Sequence, residues 1–262
     1  YTSLFAMSVL WHYAPDELAE PLRDLDRILK SLPAQDAIIL LPPLLSELPK
    51  VREALGPLII EMMQEDGPHD AHLDHVKEWV TPEILRDVLL EVDVAALDRR
   101  TQQSLLSHMF ANGLVSEATD LIDGIDNSFV VNDMIKAVAP HCPNHVLRGM
   151  ASRVNVDLAR VPLAIRAAAF GDVDLAEELL PAVQSTWRDE AVAKICTVGP
   201  IEAFEQLKAL VETLSPISRA GPMTDLVLRL PRGQRQEHLP GLLSTIGKSG
   251  RKRASCLERL TA

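Results

Sequence analysis

The chain of 262 residues has a composition typical of a folded, helical protein. Hydrophobic residues make up 47% of it and charged residues 24%, so it is too apolar to be disordered. Aromatic residues contribute only 4%, whereas leucine occurs 40 times, and this balance favours helices over strands. The 18 prolines outnumber the 12 glycines, which disfavours long coiled coils, because Pro disrupts a helix interior. We therefore expect many short helices.

The sequence also indicates the cellular compartment of the protein. No apolar run reaches the roughly 18 residues that a membrane-spanning helix needs, since two prolines interrupt the run 38–45. The N-terminal residues lack the basic region and cleavage site of a signal peptide. Cys142, Cys196 and Cys256 form no CxxC pair, which predicts buried free thiols in a reducing compartment. We expect a soluble, cytoplasmic protein that needs no cofactor and is a piece of a longer chain.

Capping and proline signals mark the starts of many helices. In Thr81-Pro82-Glu83 the Thr side chain is a helix cap, and Pro at the first helical position has no N–H to lose. Gly199-Pro200 and Ser215-Pro216 follow the same pattern. No segment alternates with the period of two that a strand requires. In chain order, the predicted helices are 21–32, 34–41, 49–64 with a kink at Gly56-Pro57, 70–80, 82–92, 98–112, 115–124, 127–139, 144–153, 157–170, 173–184, 186–197, 200–213, 217–230, 234–246 and 250–261.

An internal match relates two parts of the chain. Residues 111–122 align with residues 169–180 at an offset of 58 without a gap. Glycine can adopt the left-handed turn that ends a helix, and alanine lets the next helix approach closely, so we predict these roles for the matched residues. The matched pairs are Gly113 with Gly171, Val115 with Val173 and Ala118 with Ala176, and in the same register Phe129 falls on Trp187.

Shorter matches define the size of the repeating unit. Residues 135–139 align with 165–169 at an offset of 30, and residues 188–200 with 219–231 at an offset of 31. Units of roughly 28 to 34 residues have the size of a helical hairpin. The pattern Gly-x-Val-x-x-Ala-x-x-Leu-Leu over 171–180 resembles tetratricopeptide-like hairpins, and the segment 230–260 resembles the degenerate HEAT-like repeats of arms in bacterial signalling and defence proteins.

Together these patterns predict an all-α, right-handed α-solenoid of stacked antiparallel helical hairpins. We expect it to form one domain over 1–262, less regular over 1–97 and clearest over 98–262. Stacked hairpins bury each other's faces and leave one helix of each hairpin available to a partner. The predicted function is therefore a non-catalytic scaffold for protein–protein interaction or sensing, binding another protein or a second copy but no membrane. The resemblance implies a regulatory module of a larger bacterial protein.

The cluster from His69 to His75 is the strongest candidate for chemistry. Its sequence resembles the His-x-His-x-Asp-His motif of metallo-β-lactamase-type hydrolases, with Asp70 in place of the first His, and imidazole with carboxylate suits zinc. That family places a strand before the motif and a Gly-rich turn after it, and neither is present here. We therefore interpret the cluster as a solvated helix start and predict no metal and no catalytic residue. A metal-dependent hydrolase is the second alternative function.

The basic C-terminal end is the candidate binding region. Residues 1–100 carry a net charge of −10, whereas residues 229–262 carry +6, and such a patch attracts phosphate or an acidic surface. The patch lacks aromatic residues for base stacking, so a nucleic-acid-binding helical repeat is the first alternative and a protein partner is preferred. Gly247-Lys248-Ser249 resembles the end of a phosphate-binding loop, but Leu242 occupies the position of its first Gly. The candidate binding residues are Arg229, Arg232, Arg235, Lys248, Arg251, Lys252 and Arg253.

Overall fold

A computed structural model describes residues 33–41, 49–65, 68–247 and 253–261. These residues form fifteen α-helices and four short 3₁₀ helices, and they contain no strand, which confirms the all-α prediction. None of the helices in these ranges combines the length and the apolarity needed to cross a bilayer. The predicted helix 21–32 lies outside the described residues.

The chain packs as two compact units, of which the first ends at Gly124 and the second begins at Ile125. Helices of the first unit pack mainly through buried Leu, Ile, Val and Met side chains. They are α1 (Ala34–Leu40), α2 (Pro49–Gln64), α3 (Asp70–Val76), α4 (Pro82–Glu91), α5 (Arg99–Ala111) and α6 (Val115–Asp123). Helix α1 packs against α2 and α3, α2 packs against α4, and α5 packs against both α3 and α6.

The second unit contains the remaining nine helices of the described chain. They are α7 (Ser128–Val138), α8 (Asn144–Arg153), α9 (Asp157–Ala169), α10 (Val173–Leu179), α11 (Ser185–Val198), α12 (Phe204–Glu212), α13 (Ala220–Arg229), α14 (Arg232–Gly247) and α15 (Arg253–Thr261). The odd-numbered helices pack in series, α7 on α9, α9 on α11, α11 on α13 and α13 on α15. Helices α8, α12 and α14 pack against the odd-numbered helices on both sides of them in the chain, whereas α10 packs against α9 and contacts α12.

Local sequence signals mark several helix ends. Thr81 accepts a hydrogen bond from the backbone N–H of Ile84, and Pro82 begins α4, as predicted. The prediction for Pro216 is wrong, because α13 begins only at Ala220. The residues before it are held in a turn by side-chain hydroxyls, since the Oγ of Ser215 bonds that of Ser218 at 3.1 Å. A turn fixed by these side chains delays the start of the helix.

Gly113 and Gly171 both adopt the left-handed conformation, with φ of 81° and 86°, which confirms their predicted role. Two backbone hydrogen bonds close each turn at the helix end, one donated by the glycine and one by the residue that follows it. The N–H of Leu114 reaches the carbonyl of Met109 at 2.9 Å, and the N–H of Asp172 reaches that of Ala167 at 3.0 Å. These bonds satisfy carbonyls that the helix end leaves without a partner. The matched residues Ala118 and Ala176 are both fully buried.

Side chains link the starts of successive odd-numbered helices in the second unit. The Oδ1 of Asn132 in α7 accepts the backbone N–H groups of the two residues that precede α9, at 3.0 and 3.2 Å. Asp157, the first residue of α9, accepts the N–H of Gln184 before α11 at 2.9 Å. Ser218, before α13, donates to Asp189 in α11. These three links place the first turns of α7, α9, α11 and α13 side by side.

Arginines link the other ends of the same helices. The Nε of Arg166 in α9 donates to the carbonyl of Cys142, just after α7, at 2.9 Å. Arg229 in α13 donates to the carbonyls of Cys196 and Gly199 at the end of α11. A guanidinium suits these positions, because the last carbonyls of a helix lack intrahelical partners and lie at its negative end. Each arginine therefore fastens its own helix to the preceding odd-numbered one.

Candidate interaction surface

The structure gives two of the predicted basic residues a role inside the fold. Arg229 binds carbonyls at the end of α11, as described above. Arg235 donates from Nε to the carbonyl of Leu230 at 2.7 Å and from Nη2 to that of Leu228 at 2.6 Å. Both guanidinium groups therefore cap helix ends. Their contact with a partner stays a prediction.

The other predicted basic residues do not form a cluster within the described chain. Arg232 begins α14 and is exposed. Arg253 begins α15, but its side chain is outside the described set. Nearby, Arg259 pairs with Asp225 in α13, which neutralises part of the local positive charge. The remaining candidates lie outside the described residues and are Lys248, Arg251 and Lys252.

The histidine cluster spans α3, from its N-cap His69 to His75 in its last turn. His69 is buried, its backbone N–H donates to the Oγ1 of Thr101 at 2.8 Å, and its Nε2 lies 3.1 Å from the carbonyl oxygen of Glu65. The His69 and His72 ring centroids are 6.2 Å apart. Burial, and then the neighbouring His69, lowers the pKa of His72. No three His, Cys, Asp or Glu side chains among the described residues are placed to hold a metal ion, so the structure adds no support for the hydrolase alternative.

A cavity of about 550 Å³ lies in the first unit between the end of α2 and the segment that joins α4 to α5. Two of its acidic residues have structural roles. Asp93 accepts the N–H of Ala95 at 3.1 Å, and Asp98 accepts that of Arg100 at 2.9 Å and also caps Thr101. These carboxylates stabilise helix starts.

Four large apolar residues of the second unit are exposed at nearly equal sequence intervals. They are Phe129, Leu158, Trp187 and Ile217, with exposed fractions of 72%, 47%, 44% and 63%, and intervals of 29, 29 and 30 residues. The first three lie in the first turns of α7, α9 and α11, and Ile217 lies just before α13. Because those turns are linked side by side, the four residues follow one edge of the unit.

The exposed side of α9 extends this row into a surface. Helix α9 contacts α7 and α11, and it also contacts α8 and α10, so its exposed residues lie on the one remaining side. Leu158, Val161 and Ile165 share that side by helical spacing, and the last two are half-buried. We call Phe129, Leu158, Val161, Ile165 and Trp187 the apolar face. The sequence pattern did not identify this face as a site, although the offset of 58 residues already pairs Phe129 with Trp187.

A smaller cavity of about 390 Å³ lies beside the first turn of α11. Its charged lining residues are Arg188 and Asp189, and the Nη2 of Arg188 donates to the Oγ1 of Thr213 at 3.0 Å. The Nε of the same side chain is buried and has no hydrogen-bond acceptor among the described residues. The cavity is lined by Val183, Ser185, Arg188, Asp189, Thr213, Leu214 and Ser215.

The first turn of α11 thus carries both features, because it contributes Trp187 to the apolar face and Arg188 to the cavity. An apolar centre beside polar and charged groups is typical of protein interfaces. Comparison of the chain with protein-family models, with curated proteins and with solved structures finds no match.

Proposed function

We propose that this protein is a non-catalytic interaction scaffold, a right-handed α-solenoid of helical hairpins that binds a protein partner on the apolar face. The serial packing of the odd-numbered helices supports the solenoid, because hairpins stacked in register place equivalent helices next to one another. The turns at Gly113 and Gly171 support a repeated hairpin. Following the resemblance noted in the sequence, the scaffold serves as a regulatory module of a larger bacterial protein.

The exposure of Phe129, Leu158 and Trp187 in a single row is the observation that carries the proposal. A large apolar side chain loses about 1.5–3 kcal/mol of favourable transfer free energy by staying in water. Aromatic residues backed by aliphatic ones are typical anchors of protein interfaces. Charged residues border the face, and Glu190 pairs with Lys194 at 3.2 Å on α11. An apolar centre with a charged rim fits a protein partner.

The helix spacing sets the size of the partner segment. Packed helices lie roughly 8–10 Å apart, so the row from Phe129 to Trp187 spans roughly 16–20 Å. An extended segment covers this distance with about six residues, and a helix covers it with about twelve. A single short segment can therefore contact all three anchors at once.

The proposal is tested with a partner isolated on the immobilised protein and then purified. Its affinity is measured by calorimetry for the wild type, for Leu158→Ser and for Phe129→Ser. Loss of one anchor should weaken binding at least about tenfold, because anchor residues contribute about 2 kcal/mol or more. The matched control is Leu90→Ser, since Leu90 is 81% exposed but lies in α4 of the first unit. Equal affinities for the wild type and both anchor variants would refute the proposal.

A further inference from the structure

Among the described residues of the second unit, Arg188 is the one with a buried side-chain nitrogen or oxygen that has no hydrogen-bond partner. Its Nη2 bonds a neutral hydroxyl, that of Thr213, and no carboxylate of the described residues pairs with it. Its Nε–H is withdrawn from solvent and has no acceptor among the described residues. Buried donors are nearly always satisfied in folded proteins, so this one points to an acceptor that the described chain does not supply.

Other arginines of the unit show the contrast. The Nε of Arg219 donates to the carbonyl of Leu214 at 2.7 Å, and that of Arg166 donates to the carbonyl of Cys142 at 2.9 Å. Leu214 also lines the cavity, so Arg219 bonds a residue of the cavity wall and has its acceptor within the chain. The missing acceptor is therefore specific to Arg188 rather than general to arginines of this unit.

Arg188 lies among hydrogen-bond donors and at the positive end of a helix. Arg188 lies in the first turn of α11, and the capping residue Gln184 makes no side-chain hydrogen bond to that turn. First-turn N–H groups give a helix start a partial positive charge, which adds to the charge of the guanidinium. The hydroxyl of Ser185 in the cavity wall can donate a further hydrogen bond to an anion.

The charges around the cavity and its size favour a carboxylate over phosphate. Asp189 is also in the wall, and Asp157 binds the N–H of Gln184 nearby, so two carboxylates already lie close to the site. These charges repel a doubly charged phosphate more strongly than a singly charged carboxylate. A guanidinium also matches the planar geometry of a carboxylate. The volume of about 390 Å³ suits one side chain rather than a large ligand.

We propose that this cavity binds the carboxylate of an acidic residue of the protein partner, with Arg188 as the main ligand. The inference rests on the proposed function, since it names the chemistry of the segment that the apolar face binds. That segment carries an aspartate or glutamate beside its apolar anchors. The carboxylate accepts hydrogen bonds from the guanidinium, while Trp187 contacts the apolar neighbour.

The test follows the arginine Nε–Hε signals of the full chain by ¹⁵N NMR. The protein is titrated with N-acetylglutamic acid α-amide, with the neutral N-acetylglutamine amide and with inorganic phosphate, all at constant ionic strength. The expected result is a saturable shift of the Arg188 signal with the glutamic acid probe, and none with the neutral one. The Arg166 and Arg219 signals should not move, because their Nε–H groups already have acceptors.

Variants assign the signal and measure the specificity of the site. Arg188→Lys keeps the charge but loses the paired N–H groups, and it should weaken binding of the acidic probe at least tenfold. If this variant does not fold, the titration of the wild-type protein with the three probes still tests the inference. A flat Arg188 signal, an equal shift of Arg219, or tighter binding of phosphate than of the carboxylate would each overturn the inference. The titration needs no partner, so its failure is distinct from a failure of the anchor substitutions at the apolar face.

Discussion

Replacing Gly113 or Gly171 with alanine should destabilise the protein for a conformational reason alone. Both glycines have φ in the left-handed region, at 81° and 86°. A methyl group at residue 113 would meet no described atom within 4 Å, and at residue 171 it would make an ordinary contact of 3.5 Å with Cγ of Pro200. The left-handed conformation costs an L-residue about 1–2 kcal/mol, and the less flexible unfolded chain returns about 0.4–1 kcal/mol. We expect a net loss of about 1 kcal/mol for each variant.

The matched control is Gly149→Ala in the interior of α8. A methyl group there also meets no described atom within 4 Å, but Gly149 has no positive φ. This substitution should stabilise the protein by about 0.5–1 kcal/mol, because alanine is a better helix former than glycine. Urea unfolding followed by circular dichroism gives the free energies of unfolding. If Gly171→Ala stabilised the protein as Gly149→Ala does, the left-handed turn would be refuted.

Three further predictions concern the helix links, the histidines and the thiols. Arg229→Ala should lower the free energy of unfolding by about 1.5–3 kcal/mol, because the hydrogen bonds of its guanidinium are lost. The control Arg232→Ala, at an exposed site, should change this free energy by less than about 0.5 kcal/mol. Equal effects of the two substitutions in urea unfolding would contradict the linking role of Arg229. Burial and neighbouring histidines lower the pKa of His72 in the folded protein from its ordinary value of 6.5. Below pH 6.5 the unfolded chain therefore binds more protons than the folded protein, and the free energy of unfolding should fall as the pH drops through 6.5. His72→Gln should flatten this dependence, and an unchanged slope would count against it. Burial raises the pKa of Cys142 to about 11 and that of Cys196 to about 12. Neither thiol should therefore react with Ellman's reagent at pH 8 until the protein unfolds. Rapid reaction of these thiols in the native protein would show that they are accessible.

Helix positions were predictable because their signals are local. Thr81 and Pro82 lie next to each other in sequence and together determine the start of α4. Gly171 was predictable for the same reason, since the turn that needs it involves only its sequence neighbours. The failure at Pro216 has a partly distant cause, because Ser218 bonds Ser215 in the same turn and also Asp189 in another helix. A pattern of adjacent residues contains no information about such a contact.

The site was harder to predict because charge alone does not reveal hydrogen bonding. Arg229 looked like part of a binding patch, yet its partners are carbonyls about thirty residues earlier in the chain. For the apolar face, the sequence found the equivalent residues but not their exposure. Phe129 and Trp187 already matched in the sequence overlay, but only the packing of α9 and α11 shows that such residues point to solvent. Periodicity finds equivalent positions, and the covering helices decide which of them are exposed.

Photocrosslinking tests the central claim of partner binding most directly. Benzoylphenylalanine is introduced at residue 129, 158 or 187, and separately at the control residue 90, which is exposed in the first unit. Each protein is irradiated with the purified partner, and the adducts are mapped by mass spectrometry. Our account predicts adducts at all three positions of the apolar face, within one short segment of the partner, and none at residue 90. Adducts at residue 90 with none at the apolar face would contradict it.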